Sequence, residues 1–167
     1  IEVEGNKNAA LPLLAACLLT TEECVLTNMP RIGDVEVMAK LLKEIGAEVH
    51  GLGTTTVRVR CENVRTSEPS TELVGKLRGS VLLLGPLLAR TGRAILGMPG
   101  GDFPARRTIK THLEALIAMG ARVIAGSGHR LEVPDQRPVA VDPARLDLVD
   151  LGRRPGCEPQ HVAVRDH

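Results

Sequence analysis

The segment Met98–Thr111, which reads MPGGDFPARRTIKT, holds the densest set of chemically useful residues in this chain. Two glycines, which can adopt positive φ and let a backbone approach a ligand, precede a single carboxylate, Asp102. Arg106, Arg107 and Lys110 then open a predicted helix, whose N-terminus attracts anions through unpaired N–H groups and a partial positive charge. This pattern is typical of an acid placed beside a bound phosphate or carboxylate. The alternative is a surface turn with a solvated charge cluster.

An internal repeat shows that this segment is a lengthened loop. Residues 25–30 (VLTNMP) resemble residues 94–99 (AILGMP), 69 positions later. Residues 45–49 (IGAEV) match residues 119–123 (MGARV), but 74 positions later, so the second copy carries extra residues within the segment described above. A scaffold that is repeated while one loop grows indicates that the loop was added for function.

Each copy of the repeat predicts the order strand, helix, strand, helix, strand, strand. The first copy predicts strand Ile1–Glu4, helix Asn8–Leu19, strand Cys24–Thr27, helix Val35–Ile45 capped by Asp34 and ended by Gly46, and a hairpin of Ala47–His50 with Thr56–Cys61. The second copy predicts a long helix Thr71–Arg90 kinked at Pro86, strand Arg93–Met98, helix Arg107–Met119 and a hairpin within Ala121–Val133. Such units cannot bury their faces alone, so we expect them to pack side by side, with helices inward and sheets outward or the reverse.

The composition favours a globular domain and excludes several other classes. The chain of 167 residues is 43% hydrophobic with a net charge of +1, which argues against disorder and against general affinity for nucleic acid. One Phe and no Trp or Tyr leave no base-stacking platform. We expect no membrane span, no bound metal and a reducing, cytoplasmic location, because apolar runs are short and Cys17, Cys24, Cys61 and Cys157 have no metal-binding spacing.

Four motifs, in order and with matching spacing between Ile1 and about Val133, resemble one enzyme family. They are Gly5–Pro12 (GNKNAALP), Leu77–Ser80 (LRGS), Leu84–Leu87 (LGPL) and Pro99–Asp102 (PGGD). The family is that of UDP-N-acetylglucosamine 1-carboxyvinyltransferase, also called UDP-N-acetylglucosamine enolpyruvyl transferase. By this resemblance we expect a transferase of the first committed step of peptidoglycan synthesis, and with it a part in cell-wall biogenesis, cell shape and cell division.

The resemblance implies an α/β (α+β) fold, an inside-out α/β barrel built from βαβαββ repeats. Family members have two domains of three units each, with the substrates between them. We expect residues 1–133 to form two units of the catalytic-loop domain and residues 134–167 to be a divergent or truncated segment. We expect neither the second family domain nor its catalytic carboxylate within these 167 residues. Because the sequence begins with Ile1 rather than Met, we expect a trimmed piece of a longer chain, which self-associates through its incomplete core.

The resemblance also assigns roles to individual residues. Family members move the enolpyruvyl group of phosphoenolpyruvate to the 3-hydroxyl of UDP-N-acetylglucosamine and release phosphate, without a cofactor. By carry-over, Asp102 is the proton donor, and the substrate-binding residues are Lys7, Asn8, Arg78, Arg107, Thr108, Ile109, Lys110 and Thr111. Lys7, Asn8 and Arg107 would contact phosphoenolpyruvate, whereas the others would lie beside the sugar nucleotide. Lys7 and Arg78 also have a plainer interpretation as solvated surface charges, and His112 is either a packed helix position or a ligand contact.

Three departures from the family pattern concern the loop. Most members have cysteine where this chain has Asp102, although some have aspartate, so acid function is kept without thiol chemistry. The following segment, Phe103–Arg106, is bulkier and stiffer than the usual glycine-containing one. Lys110 stands where the family tends to have an acidic residue, which leaves the sugar-nucleotide acceptor open.

Two alternatives to a transferase that acts on UDP-N-acetylglucosamine follow from the same sequence. One is a catalytically inactive fragment or paralogue that keeps the fold and an anion-binding site, because the opposing domain normally supplies half of the substrate contacts. The other is the sister enzyme that acts on shikimate 3-phosphate, against which the Pro99–Asp102 loop argues.

Overall fold

The computed structural model describes residues 5–100, 109–124, 129–132 and 162–165. In the first half of the chain, helices and strands alternate as the repeat predicts. The elements are α1 (Lys7–Ala16), β1 (Glu23–Leu26), α2 (Gly33–Ile45), β2 (Glu48–His50) and β3 (Val57–Arg60), with a 3-10 turn at Cys17–Leu19 after α1. The predicted strand at Ile1–Glu4 lies outside the described residues.

The second half contains a similar set of elements with a broken first helix. They are α3 (Thr71–Val74), a 3-10 segment at Arg78–Leu83, α4 (Leu84–Thr91), β4 (Arg93–Leu96), α5 (Lys110–Ala118), β5 (Arg122–Ile124) and β6 (His129–Glu132). A further strand, β7 (Val162–Arg165), lies within residues 134–167, where the sequence predicts a divergent or truncated segment and no strand. None of the described helices is long and apolar enough to cross a membrane.

The two halves pair their strands in the same way. The first sheet has the order β2-β3-β1-β7, and the second has the order β5-β6-β4. In each sheet the last strand of the repeat unit lies between the other two, and β7 is added at the edge of the first sheet. β1 runs antiparallel to β3 with Cys24 opposite Val59, and β4 runs antiparallel to β6 with Ala94 opposite Leu131. β2 and β3 form the hairpin predicted around Gly51 and Gly53, which is confirmed.

The helices of the two halves pack against one another and share one hydrophobic core with the sheets. α1 packs against α2 and against the 3-10 segment of the second half, and α4 packs against the 3-10 turn of the first half. Fully buried side chains from both halves meet there: Leu14, Leu18, Met38, Leu41, Leu42, Leu83 and Leu87. β3 alternates buried Val57 and Val59 with exposed Arg58 and Arg60, so the first sheet turns one face to this core and the other to solvent.

The prediction of one long helix over Thr71–Arg90 was wrong. Leu77 adopts an extended conformation (φ −136°, ψ 119°), which separates α3 from the 3-10 segment. The buried Ser80 hydroxyl donates to the carbonyls of Val74 (3.2 Å) and Leu77 (2.6 Å), so the break leaves these acceptors satisfied. Pro86 lies in the first turn of α4, where its missing N–H has no intrahelical partner.

Gly46 ends α2 as predicted. It has φ +124°, and its N–H donates to the Leu42 carbonyl at 3.1 Å. An added Cβ would lie 2.6 Å from the Asn63 carbonyl oxygen, so both conformation and space require glycine.

Arg90 joins the two halves of the chain. From the last turn of α4, Nη1 donates to the carbonyls of Leu18 (2.7 Å), Thr20 (3.0 Å) and Cys61 (3.2 Å). Nη2 donates to the carbonyls of Cys61 (3.2 Å) and Glu62 (3.0 Å). One guanidinium therefore binds four carbonyl groups that follow α1 and β3 in the first half.

We predict that Arg90→Met destabilises the fold strongly. The change keeps the length of the aliphatic stem but removes every donor, so we expect a loss of about 2–4 kcal/mol in the free energy of unfolding. Arg58→Met is the matched control, because Arg58 is exposed and forms a surface pair with Glu23 at 3.7 Å. Its expected cost is within about 0.5 kcal/mol. Urea unfolding measures both, and equal shifts would contradict the role given to Arg90.

Candidate functional site

Lys7 lies at the start of α1, at the surface. Asn6 caps this helix, because its side-chain oxygen accepts from the Asn8 N–H at 2.7 Å. The Lys7 ammonium forms an ion pair with the Asp34 carboxylate, and the Lys7 side chain is 53% exposed. Lys7 and Asn8 are therefore held at a helix N-terminus that is open to solvent, as a binding role requires.

Asp34 does not cap α2, and that prediction was wrong. The helix begins at Gly33, two residues before the predicted start at Val35, and its N-cap residue Ile32 makes no side-chain capping bond. Asp34 is thus inside the first turn, from where its carboxylate reaches Lys7 of the other helix. Sequence reasoning missed this pair because a local capping pattern at Asp34 competed with a contact 27 residues away.

Arg78 opens the 3-10 segment directly after the extended Leu77, and it is half-buried. The neighbouring Gly79 packs so closely against α1 that an added Cβ would lie 2.8 Å from Leu11 Cδ1. Leu11 is four residues after Lys7 and shares its side of the helix. The segment that carries Arg78 is therefore fixed against the same helix that carries Lys7.

Both β4 and the chain that follows it lie beside residues 67–75, which contain α3. The Ile95 N–H donates to the Ser67 carbonyl at 2.9 Å, and the Gly100 N–H donates to the Val74 carbonyl at 3.2 Å. An added Cβ on Gly100 would lie only 1.3 Å from the Gly75 carbonyl oxygen, so the two backbones touch. Gly100, in the stem at the start of the predicted loop, thus contacts the backbone of Gly75, which is three residues before Arg78. Gly100 is the residue in the sequence that signals this close approach.

The central residues of the predicted site, Asp102, Arg107 and Thr108, lie outside the described residues. Ile109, 7% exposed, belongs to the hydrophobic core, which leaves only its backbone for a ligand. Lys110 is exposed at the first position of α5, 3.5 Å from the Glu114 carboxylate. Thr111 follows in the same helical turn. His112 is exposed, so its interpretation as a packed helix position was wrong.

The predicted buried thiols at Cys17 and Cys24 are confirmed, with exposures of 2% and 3%. A hydrogen bond from the Cys17 thiol lowers the pKa of Cys24 and, together with burial, raises the pKa of Cys17 well above its usual range. Burial also raises the pKa of Cys61. Among the described residues, no three His, Cys, Asp or Glu side chains are grouped so that they could hold a metal ion.

We predict opposite effects for two glycine-to-alanine changes. Gly100→Ala must displace the backbone contact with Gly75, so we expect a loss of more than about 1 kcal/mol in unfolding free energy. Gly85→Ala lies inside α4 with nothing within 4 Å of the added Cβ, and it should stabilise by about 0.5–1 kcal/mol. Thermal unfolding of both variants measures the difference. A Gly100→Ala protein as stable as wild type would show that the stem is not held at this point.

Comparison with known proteins places this arrangement in a family. The model of the family EPSP synthase (3-phosphoshikimate 1-carboxyvinyltransferase) matches residues 1–143. Among curated relatives, UDP-N-acetylglucosamine 1-carboxyvinyltransferase of Bradyrhizobium diazoefficiens is 43% identical over 125 residues, which are 75% of this chain and 29% of that protein. The enzyme of the same name from Treponema denticola is 45% identical over 123 residues, 74% of this chain and 29% of that protein.

Solved structures show the same fold at lower identity. The enolpyruvyl transferase NikO from Streptomyces tendae matches with a TM-score of 0.65 and 22% identity, over 80% of this chain and 29% of that one. EPSP synthase from Acinetobacter baumannii matches with a TM-score of 0.57 and 13% identity, over 79% and 31%. The chain thus spans less than a third of these proteins. The resemblance to UDP-N-acetylglucosamine 1-carboxyvinyltransferases is confirmed, and the chain belongs to the EPSP synthase family of enolpyruvyl transferases.

Proposed function

We propose that this chain carries the catalytic loop of a UDP-N-acetylglucosamine 1-carboxyvinyltransferase. The observation that carries the proposal is the identity of 43–45% to relatives that bear this name. The described site supports it. The 3-10 segment with Arg78 packs on the helix that begins with Lys7, and the loop stem is attached beside that segment.

The proposed reaction joins phosphoenolpyruvate to the 3-hydroxyl of UDP-N-acetylglucosamine. Asp102 donates a proton to the methylene carbon, the hydroxyl oxygen bonds to the carbon that then has cationic character, and loss of a proton and of phosphate restores the double bond. Lys7, Asn8 and Arg107 hold the anionic phosphoenolpyruvate. Arg78 and the residues Thr108, Ile109, Lys110 and Thr111 line the sugar-nucleotide side, Ile109 through its backbone.

The proposal extends to the architecture and setting of the family. The two halves of this chain are taken as two βαβαββ units of an inside-out α/β barrel, at residues 1–133. The reaction belongs to the cytoplasmic start of peptidoglycan synthesis and therefore serves cell-wall growth and division. A relative's name at more than 40% identity favours this acceptor over shikimate 3-phosphate, the substrate of the sister enzyme.

We predict that this polypeptide releases phosphate from phosphoenolpyruvate only when UDP-N-acetylglucosamine is present, and that Asp102→Asn abolishes the release. The amide cannot donate the acid proton, whereas it preserves the size of the side chain. Phosphate is measured by a coupled colorimetric assay, and phosphoenolpyruvate binding by calorimetry shows whether the variant still binds. Full turnover by Asp102→Asn would remove Asp102 from the acid role. Binding without turnover in wild type would favour the non-catalytic alternative.

We also predict that the enzyme with Asp102 resists the epoxide fosfomycin, because a carboxylate is a far weaker nucleophile than a thiolate. The variant Asp102→Cys should become sensitive to fosfomycin.

We also propose that the second half of the chain associates with another copy. Its exposed large apolar side chains are Met98 (63%), Ile117 (47%), Met119 (68%) and Val123 (53%). Met119 and Val123 correspond in the repeat to Ile45 (0%) and Val49 (5%), which the first half buries. Apolar positions that are buried in the first half are thus exposed to solvent in the second half. Exposed apolar patches of this kind are typical of interaction sites.

The expected consequence is a concentration-dependent increase in mass. Met119→Glu should weaken association by roughly tenfold or more, because burying one methionine contributes about 1.5–3 kcal/mol. Asn63→Glu adds the same charge at another exposed position and should leave the dissociation constant unchanged. Analytical ultracentrifugation compares the three proteins. A compact monomer at all concentrations would overturn the proposal.

A further inference from the structure

Two helices begin at the same place in this fold. Lys7 is the first residue of α1, and Asp34 is the second residue of α2. Their side chains form an ion pair across the two N-termini, with the carboxylate side chain 35% exposed. The pair is therefore accessible to a ligand from solvent.

The helix dipoles make the two partners unequal. A cation at a helix N-terminus lies against the positive end of the dipole, and the first turn of α1 contains no acidic residue that would offset it. A carboxylate in the first turn of α2 is in a favourable field, and Asp34 lies there with Glu36. Asp34 thus supplies to Lys7 the negative charge that α1 lacks.

We propose that Asp34 is a positioning residue that acts as the resting counter-ion of Lys7 and competes with the anion that binds there. This inference rests on the proposed function, in which Lys7 contacts phosphoenolpyruvate. When no anion is bound, the Asp34 carboxylate holds the Lys7 ammonium at the N-termini of both helices. A phosphate or carboxylate that binds Lys7 must take the place of the Asp34 carboxylate or share the ammonium with it, so Asp34 lowers the affinity for weakly held anions.

Inorganic phosphate is the probe that tests this competition without turnover. We expect Asp34→Asn to bind phosphate about two- to fivefold more tightly than wild type, the range that corresponds to one partly exposed ion pair. Glu36→Gln is the matched control. It removes one negative charge from the same helical turn, and among the described residues no ion pair joins Glu36 to Lys7. Its phosphate affinity should stay within about 1.5-fold of wild type.

A double-mutant cycle separates this contact from a general effect of charge. In a Lys7→Met background, Asp34→Asn should no longer change phosphate affinity, because the competed group is gone. Calorimetry or phosphate-induced shifts in NMR spectra provide the affinities, and circular dichroism confirms that each variant is folded. Asp34→Ser serves as a second variant if the asparagine protein does not fold.

The outcomes distinguish this inference from the proposed function. Equal phosphate affinities for Asp34→Asn and Glu36→Gln, weaker binding by Asp34→Asn, or no phosphate binding by either wild type or Asp34→Asn would overturn the role of Asp34. Tighter binding that depends on Lys7 supports it even if the chain shows no turnover, in which case only the transferase proposal falls. Turnover together with equal affinities would leave the transferase proposal standing and remove Asp34 from the site.

Discussion

The guanidinium of Arg90 is the interaction on which the arrangement of the two halves depends. Its five hydrogen bonds reach the carbonyls of Leu18, in the 3-10 turn after α1, of Thr20, and of Cys61 and Glu62, which follow β3. A lysine has neither the planar fork nor enough donors to serve four carbonyls at once. Because Arg90 fixes α4 in this way, the 3-10 segment that precedes α4 packs against α1. Arg78, the first residue of that segment, therefore lies beside the helix that begins with Lys7. The site thus depends on a contact made at the opposite end of α4.

Much of the fold was predictable because local signals and burial agree. The apolar period of α2, the glycine that ends it and the Gly51–Gly53 turn of the hairpin each predict the observed element. The long helix over Thr71–Arg90 failed because its apolar run resembles a helix, whereas the break at Leu77 is stabilised by a buried serine hydroxyl. Helix propensity cannot anticipate such a compensation. β7 was missed because its pairing with β1 joins residues more than a hundred positions apart.

The candidate site was predictable to a smaller degree. Motifs indicated Lys7 and Arg78, and both lie on elements that pack together. The ion pair with Asp34 was not foreseen, since an aspartate before an apolar helix favours a cap, and only the tertiary fold brings a second helix N-terminus within reach. Ile109 shows the converse. A position that the family motif assigns to the ligand is one at which this chain buries an apolar side chain in the core.

The repeat explains why these features occur where they do. In both halves the connection from the first strand of the sheet to the next helix leads to candidate functional residues. In the first half this connection is short, and Asp34, the second residue of its helix, forms the ion pair with Lys7. In the second half it is longer, its stem is held by the backbone contact of Gly100 with Gly75, and it contains Asp102. The same junction of the repeat thus carries an acidic residue in both copies, and in the second copy it is longer by about five residues. Lengthening a surface connection costs little stability, so a repeated scaffold can accept such an insertion without loss of its core.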